Sequence, residues 1–226
     1  MDPTRRQLIL GGAATAALVA GGGARAADKK DRDEDEVSPT EDLMREHGVL
    51  RRILLIYGET LRRFAANQPV PAETVAHAAT IIREFIEDYH EKDEEEFIFP
   101  RFEKARKLTD LVAVLRQQHQ AGRRLTADVL KLATAAGLKS DANRKQLGDA
   151  LGKFIRMYEP HAAREDTVLF PAFRELVGEK ELAKLQDLFE DKEKALPHGG
   201  FEKMVDAVAR LEETLGIADL ARFTPA

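Results

Sequence analysis

The sequence predicts an all-α protein, an antiparallel four-helix bundle with a C-terminal helical extension. Three observations predict it. The 226 residues are rich in helix-forming Ala, Leu, Lys, Arg and Glu and contain no Trp. No segment alternates polar and apolar residues in the way a half-buried strand does. A pattern of His and Glu also occurs twice along the chain, as expected of two similar helical hairpins.

Helix-start and helix-stop signals divide the chain into elements. Ser38-Pro39-Thr40-Glu41 combines a capping Ser, a proline at the first helical position and an acidic residue three positions after the cap. Pro160 is expected to bend the fourth helix or to force a bulge just before His161. The predicted helices span about residues 38–66, 72–100 with a brief continuation, 109–136, 141–177, 179–195 and 200–215.

Four histidines fall into two pairs with nearly equal spacing. The members are His47 and His90, 43 residues apart, and His119 and His161, 42 residues apart. In both pairs the second histidine is followed by Glu at four residues and by Phe-Pro at nine and ten. The two glutamates are Glu94 and Glu165. Residues four apart on a helix share one face, so each His and Glu of this motif can bind the same metal cluster.

The positions of the turns place all four histidines at one height in the bundle. In the first hairpin, turning near residue 69, the histidines lie 22 residues before and 21 after the turn. In the second, turning near residue 139, they lie 20 before and 22 after. Each helical residue rises about 1.5 Å, so the side chains form a single layer. Imidazoles and carboxylates facing inward from four helices indicate a dinuclear metal site.

These residues resemble the hemerythrin-like, or HHE cation-binding, domain over residues 38–177. The resemblance implies a four-helix bundle with an oxygen-bridged centre of two iron ions, with manganese or zinc less favoured. It implies one ligand set taken from all four helices, with Glu94 and Glu165 bridging the two ions: His47, His90, Glu94, His119, His161 and Glu165.

Three positions depart from the oxygen carriers of this family. Arg123 occupies the place of a further third-helix His, and it is expected to pair with Glu91, Glu165 or Asp166. Oxygen carriers place the fourth-helix acid five residues after His, which would select Asp166, whereas the internal repeat favours Glu165. Glu91 matches an extra carboxylate ligand of an iron-sensing branch, or else is a solvated acid. Tyr158 is the candidate for an outer hydrogen bond to the cluster, with plain packing as the alternative.

The remaining histidines and tyrosines carry less signal. His77 lies off the face that presents His90 and is expected to be structural. His198 lies in a Pro-Gly loop without an acidic partner, so we do not expect it to bind metal. Tyr57 and Tyr89 could approach the cluster, but nothing in their spacing favours a role beyond packing.

The N-terminal segment predicts export. Residues 1–26 resemble a twin-arginine signal, with Arg5 and Arg6 before a short apolar stretch and a small-residue cleavage site at Ala24-Arg25-Ala26. Residues 27–37 are a charged run expected to act as a flexible spacer. The destination would be the periplasm or beyond, with no stable membrane span after processing. The absence of Cys excludes disulfides and thiolate ligands.

Function follows from the cluster. A net charge of -5 with interspersed basic residues argues against nucleic-acid binding. The expected partner is dioxygen, peroxide or nitric oxide at a di-iron centre. Alternatives are a peroxide-decomposing enzyme of oxidative defence, and an iron-binding or iron-sensing protein without redox turnover. Residues 178–226 should pack across the bundle, and a homodimer through their apolar stripe is one way to bury it.

Overall fold

Four long helices form the bundle in the computed structural model, which describes residues 37–197 and 199–225. Each of the four packs on its neighbours in an antiparallel arrangement, and no strand occurs in the described part of the chain. The predicted all-α bundle is therefore confirmed. The helices are α1 (Pro39–Ala65), α2 (residues 72–105), α3 (Thr109–Leu132) and α4 (residues 141–177).

Serine caps begin two of these helices, as the helix-start signals Ser38-Pro39-Thr40-Glu41 and Ser140-Asp141 of the sequence predict. The Ser38 hydroxyl accepts from the amide of Glu41 at 3.4 Å, and the Ser140 hydroxyl accepts from the amide of Asn143 at 3.4 Å. α3 ends at Leu132, four residues earlier than the sequence predicted. The local reason is Thr134, whose hydroxyl accepts from the Gly137 amide at 2.9 Å and organises a separate turn before α4.

Both helices that carry a His-x-x-x-Glu motif widen into a π-helical turn at the Glu. In α2 this turn is Glu94–Ile98, and in α4 it is Glu165–Leu169. Each is followed by Phe-Pro, where the proline lacks an amide donor and clashes with the carbonyl four residues earlier. The wider turn relieves that clash and places the Glu within the bundle. α2 contains a second π-helical stretch, Ile82–His90, which ends at the motif histidine.

Of the two effects expected of Pro160, a bend or a bulge just before His161, the bulge does not occur. The α-helix runs through Pro160 to Arg164, and the π-helical turn begins only at Glu165. Pro160 and Arg156 are both exposed, so water can satisfy the Arg156 carbonyl that loses its helical donor. The proline is therefore tolerated without a local change of helix type.

Two apolar clusters enclose the histidine layer. The larger one fills the bundle between the layer and the turns that follow α1 and α3. Ile53, Tyr57, Phe85 and Phe154 are among its buried members. The smaller one, termed here the phenylalanine cluster, fills the end at which α1 and α3 begin. It contains Phe99 and Phe170 of the two Phe-Pro steps, together with Phe102 and Phe173, each of which follows the proline by two residues in its hairpin. Phe102 and Phe173 meet with ring centroids 6.0 Å apart.

The C-terminal extension forms two helices that complete the core. α5 (Glu179–Lys194) adds Leu185 and Phe189 to the phenylalanine cluster. α6 (Phe201–Leu215) packs along α1 and α2 and buries Val208, Leu211 and other residues of its apolar stripe in the larger core. Since the chain covers this stripe itself, the reason given for a homodimer no longer holds.

Ion pairs from Arg45 to Glu202 and from Arg52 to Glu212 fix α6 to the bundle. The Arg52 guanidinium donates to both carboxylate oxygens of Glu212, at 3.0 and 2.6 Å.

Within residues 37–197 and 199–225, no helix is long and apolar enough to cross a membrane.

Candidate metal centre

The four histidines and two glutamates of the repeated motif converge on one buried layer. None of the six side chains is more than 4% exposed. They form two overlapping groups whose ligand atoms lie within 4.8 Å of one another, with Glu94 in both. The groups are Glu94, His119, His161 and Glu165, and His47, His90 and Glu94. The tertiary structure therefore brings together all six residues selected from the sequence.

Each imidazole is held from outside the cluster through its Nδ1 atom. The acceptors are Asp166 for His47 (2.7 Å), Glu46 for His90 (2.6 Å), Glu95 for His119 (3.0 Å) and Gln118 for His161 (2.9 Å). In each hairpin the first-arm histidine (His47 or His119) lies on the first helix and the second-arm histidine (His90 or His161) on the second. In both hairpins, the residue before the first-arm histidine accepts the hydrogen bond from the second-arm histidine. The residue after the motif Glu holds the first-arm histidine of the other hairpin. Such outer hydrogen bonds fix the orientation of a metal-binding imidazole.

These acceptors also determine which nitrogen faces inward with a lone pair. A carboxylate or amide oxygen accepts the Nδ1–H, which leaves Nε2 of a neutral imidazole unprotonated. Nε2 of His47 and Nε2 of His90 face each other at 3.1 Å. Two lone pairs at that distance repel unless a cation or a proton lies between them. A metal ion held by both nitrogens would relieve that repulsion.

The two glutamates face the same space without donors. None of their four carboxylate oxygens has a hydrogen-bond partner among the described residues. Their nearest imidazole atoms are His161 Nε2, 3.1 Å from Glu165, and His119 Nε2, 3.4 Å from Glu94. A buried carboxylate without donors is strongly disfavoured unless a cation neutralises it. The residues present therefore fit a metal centre, and the buried His/Glu cluster indicates metal binding.

The two glutamates differ electrostatically. Burial raises the pKa of Glu94 well above its ordinary value, and the adjacent charge of Glu165 raises it further. Burial also opposes ionisation of Glu165, but when His161 and His47 are protonated, their positive charge and Nε2–H donors hold its pKa well below the ordinary value. Like charges confined to one dry site separate in this way. A pair of dications would favour the ionised form of both.

Burial also raises the pKa of Glu46 well above its ordinary value, and the nearby carboxylates of Asp42 and Asp93 add to the effect. A cation on Nε2 of His90 would make the opposite Nδ1–H more acidic and favour an ionised Glu46 to accept it. Metal binding and ionisation of this outer carboxylate are thus coupled.

Phenylalanine rings pack against the first-arm histidines in a repeated manner. Phe170 stacks on His47 with centroids 5.7 Å apart, and Phe99 stacks on His119 at 5.4 Å. Both come from the Phe-Pro step of the repeated motif. The rings exclude water from one side of the layer and restrict the rotation of the imidazoles.

Arg123 pairs with one of the three acids expected from the sequence. Its Nη2 lies 2.9 Å from Glu91 Oε2, and its Nη1 donates to Glu95 Oε1 at 2.8 Å. The matching residue of the first hairpin, Arg51, pairs with Asp166. In each hairpin, the arginine four residues after the first-arm histidine therefore forms an ion pair with the acid that orients that histidine.

Glu91, Asp166 and Tyr158 take distinct places. Asp166 lies outside the layer, bound to Nδ1 of His47, whereas Glu165 lies inside it. Glu91 is 1% exposed and accepts from the Tyr158 hydroxyl at 2.7 Å. The alternative of a solvated Glu91 is therefore wrong, because burial between α2, α3 and α4 removes it from water. The Tyr158 hydroxyl therefore donates to a candidate ligand and not to one of the six residues of the motif layer.

Three of the orienting acceptors were not found from the sequence: Glu46, Glu95 and Gln118. Each is adjacent in sequence to a motif residue, but a charged helix contains many acids and adjacency alone does not select them. The sequence did indicate them in one way, because they occupy corresponding positions in the two copies of the repeat. Glu46 and Gln118 both precede a first-arm histidine, and Glu95 and Asp166 both follow a motif Glu.

His77, Tyr57 and Tyr89 are not among the ligand groups of the layer, and Tyr89 reaches only the outer acid Glu46. His77 is exposed on α2, and Tyr57 is fully buried in the larger core with no partner for its hydroxyl. Tyr89 is buried beside Phe85. The expectation for His198 falls outside the described residues.

Comparisons with known proteins agree with this geometry. The family model described as the hemerythrin HHE cation-binding domain matches residues 38–173. Uncharacterised proteins of Mycobacterium bovis and of two strains of Mycobacterium tuberculosis are each 50% identical over 190 residues. These alignments cover 84% of this chain and 74% of each relative. No solved structure matches this chain.

Proposed function

Since the chain belongs to the hemerythrin HHE cation-binding domain family, we propose that it is a non-haem di-iron protein. In this proposal it engages dioxygen, peroxide or nitric oxide at a His/Glu-ligated cluster. The observation that carries the proposal is the pair Glu94 and Glu165. Their four oxygens lack donors in a buried layer surrounded by four inward-facing Nε2 atoms.

The donor set favours iron. Imidazole nitrogen together with carboxylate oxygen suits iron, zinc, copper or manganese better than magnesium or calcium. Glu94 belongs to both groups of ligand atoms, so it is the first candidate to bridge two ions, and Glu165 is the second. His47 and His90 would hold one ion, and His119 and His161 the other. Manganese and zinc are less favoured alternatives.

Bound iron would supply the electrons and the exchangeable position that dioxygen or peroxide chemistry needs. The chain's own residues prepare that position. Asp166, Glu46, Glu95 and Gln118 keep the imidazoles aimed inward, and the phenylalanine cluster keeps water out. Arg123 cannot ligate a metal because its guanidinium stays protonated. It therefore leaves the third helix one imidazole short of an oxygen carrier.

Glu91 is the candidate to supply a ligand in place of the imidazole that the third helix lacks. Its Oε2 lies 3.9 Å from Nδ1, the outward-facing nitrogen of His119, and pairs with Arg123 Nη2 at 2.9 Å, so Glu91 would have to leave this ion pair to bind a metal. Burial raises the pKa of Glu91 to about 8, against the lowering effects of Tyr158 and Arg123. A nearby cation would favour the charged form. We therefore assign Glu91 as a further ligand candidate and Asp166 as an orienting residue.

Peroxide decomposition is the second candidate function. It is favoured by Arg123, because a centre with an open position and fewer imidazoles should react with peroxide rather than hold oxygen reversibly. Iron binding or sensing without turnover is the third. Exposure of the reduced, iron-loaded protein to oxygen, followed by absorption spectroscopy, and a peroxide-turnover assay separate the three.

We also propose that the protein acts outside the cytoplasm. The support is the twin-arginine-like segment at residues 1–26, followed by the charged spacer at 27–37. The twin-arginine route carries folded proteins, often with a cofactor in place. A cluster buried as deeply as this one would be loaded before export. The functional domain would then be residues 38–177, completed by the extension at 178–226.

Iron stoichiometry tests the proposal. Anaerobic loading followed by desalting should leave two iron ions per chain. The double change His90→Ala/His161→Ala should abolish tight binding, because it removes an imidazole from each ion. His77→Ala, which removes an exposed histidine far from the layer, is the matched control and should retain both ions. One ion in the parent protein, or tight binding by the double variant, would refute the dinuclear assignment.

A further inference from the structure

The repeat between the two hairpins breaks at one place beside the cluster. The residue after His90 is Glu91, whereas the residue after His161 is Ala162. Three residues before these histidines stand Glu87 and Tyr158, respectively. The orienting hydrogen bonds and arginine pairs of the layer recur in both hairpins, apart from the exchange of Glu46 for Gln118, so this difference adds to the chemical inequality of the two halves.

A third position takes part in the same break. Gly122 lies three residues after His119, where the first hairpin has Leu50 after His47. A Cβ atom at Gly122 would overlap the Tyr158 hydroxyl and would lie 2.8 Å from its Cζ atom. Glycine weakens the interior of a helix relative to alanine, and Gly122 is in the middle of α3. The missing Cβ creates the space that the tyrosine hydroxyl occupies.

That hydroxyl restrains one oxygen of a buried carboxylate. Tyr158 and Glu91 are each 1% exposed, and the hydroxyl donates to Glu91 Oε1 at 2.7 Å. The other oxygen, Oε2, faces Arg123 Nη2 at 2.9 Å. The Tyr158 ring is itself fixed, since it meets the His161 ring edge-on at 5.3 Å and packs on Phe154 at 4.3 Å. Glu91 therefore cannot rotate without losing a buried hydrogen bond.

We propose that Tyr158 is a positioning residue, seated against Gly122, that fixes Glu91 beside His119 and thereby makes the two metal positions unequal. The half of the layer at His47 and His90 has Ala162 at the matching place and receives no such carboxylate. This inference rests on the proposed di-iron function, because it concerns the difference between two bound ions.

Mössbauer spectroscopy of the diferrous protein, loaded with iron-57, tests the inference without reference to turnover. The parent should give two quadrupole doublets of equal area. Tyr158→Phe keeps the ring and removes the hydroxyl, so one doublet should shift while the other stays in place. A chelator should also remove one of the two ions about tenfold faster than in the parent. A purely structural role for Tyr158 would not affect one ion selectively.

The chain offers matched controls. Tyr57→Phe removes a fully buried hydroxyl that has no partner, and it should leave both doublets and both removal rates unchanged. Gly122→Ala should displace the Tyr158 hydroxyl and reproduce the shift of the same doublet, even if Tyr158→Phe does not fold. Gly152→Ala adds a methyl group on α4 where nothing lies within 4 Å, and it should have no effect.

The outcomes separate this inference from the proposed function. A parent protein that retains fewer than two ions refutes the di-iron function and this inference with it. Two ions that give a single doublet in the parent refute the inequality alone. Two doublets that stay unchanged in both Tyr158→Phe and Gly122→Ala show that Tyr158 does not position Glu91, while the di-iron function stands.

Discussion

The Nδ1–H of His90 donates to Glu46 at 2.6 Å, and both side chains are at most 2% exposed. In the second hairpin, Gln118 accepts from His161 at 2.9 Å. A carboxylate makes the opposite nitrogen of an imidazole a stronger ligand than an amide does. The imidazoles of the two halves are therefore oriented alike, but that of His90 is polarised more strongly than that of His161.

Replacing Glu46 by Gln should weaken metal binding. The amide can still accept the hydrogen bond but carries no charge, so we expect about a 10-fold rise in the apparent Kd for iron(II). Anaerobic competition with a chelator measures it. Gln118→Glu makes the reverse change at the matching position and should bind at least as tightly as the parent. An unchanged Kd in Glu46→Gln would mean that the charge of this residue does not act on His90.

Replacing Arg123 by His should change the reaction with oxygen. The new imidazole starts on the ligand face of α3, and the change also releases Glu91 and Glu95 from their ion pairs. We expect the absorption band formed on exposing the reduced, iron-loaded protein to oxygen to last several-fold longer. Arg123→Gln, which loses the same ion pairs without adding an imidazole, is the control for the lost ion pairs. Equal lifetimes in the Arg123→His variant and the parent would mean that Arg123 has only a structural role and does not affect the reaction with oxygen.

Replacing Asp42 by Asn should stabilise the fold in a pH-dependent way. Burial and the charge of Glu193 raise the pKa of Asp42 from 3.8 to about 6, against the opposing effect of Arg45. Because the folded state disfavours the ionised form, the penalty is absent below pH 3.8 and complete above about pH 6. We expect a gain of about 1–2 kcal/mol in the free energy of unfolding at pH 7.5, reduced by solvent screening.

Urea unfolding at two pH values measures this effect. At pH 4 the Asp42→Asn variant and the parent should differ little. Asp141→Asn, an exposed first-turn acid of α4, controls for the helix-start charge and should show no comparable pH dependence. A gain of the same size at both pH values would exclude the ionisation of Asp42 as its cause.

Truncating Leu211 should destabilise the whole bundle. Leu211 is 6% exposed and belongs to the larger core, so Leu211→Ala should cost about 2–4 kcal/mol in the free energy of unfolding. Leu220→Ala removes a side chain that is 79% exposed and should cost almost nothing. Denaturation followed by circular dichroism checks both. A separate early transition in the parent would show that α6 unfolds independently of the bundle.

Changing Arg5 and Arg6 together to Lys should block export. The twin-arginine route requires the arginine pair, so the folded protein should remain in the cytoplasm. Cell fractionation with detection of the full-length and processed forms measures this. Unchanged appearance of the doubly substituted protein outside the inner membrane would contradict the interpretation of residues 1–26.

The sequence by itself determined the fold class and the layer. Helix-start signals at Ser38 and Ser140 recur as side-chain caps. The repeated spacing of His and Glu placed six residues at one height, since the rise of an α-helix is nearly constant. Such features depend on local chemistry and on counting residues, and both can be obtained from a single chain.

Only the tertiary structure decided how the layer is supported. Glu46, Glu95 and Gln118 became orienting residues because of the rotation of each helix about its own axis, which a one-dimensional spacing does not specify. The π-helical turns at Glu94 and Glu165 changed that rotation locally. The Tyr158 hydroxyl reaches Glu91 only because α3 presents Gly122 where the two helices approach. Contacts between distant helices depend on packing to within an ångström, and no periodic pattern encodes that precision.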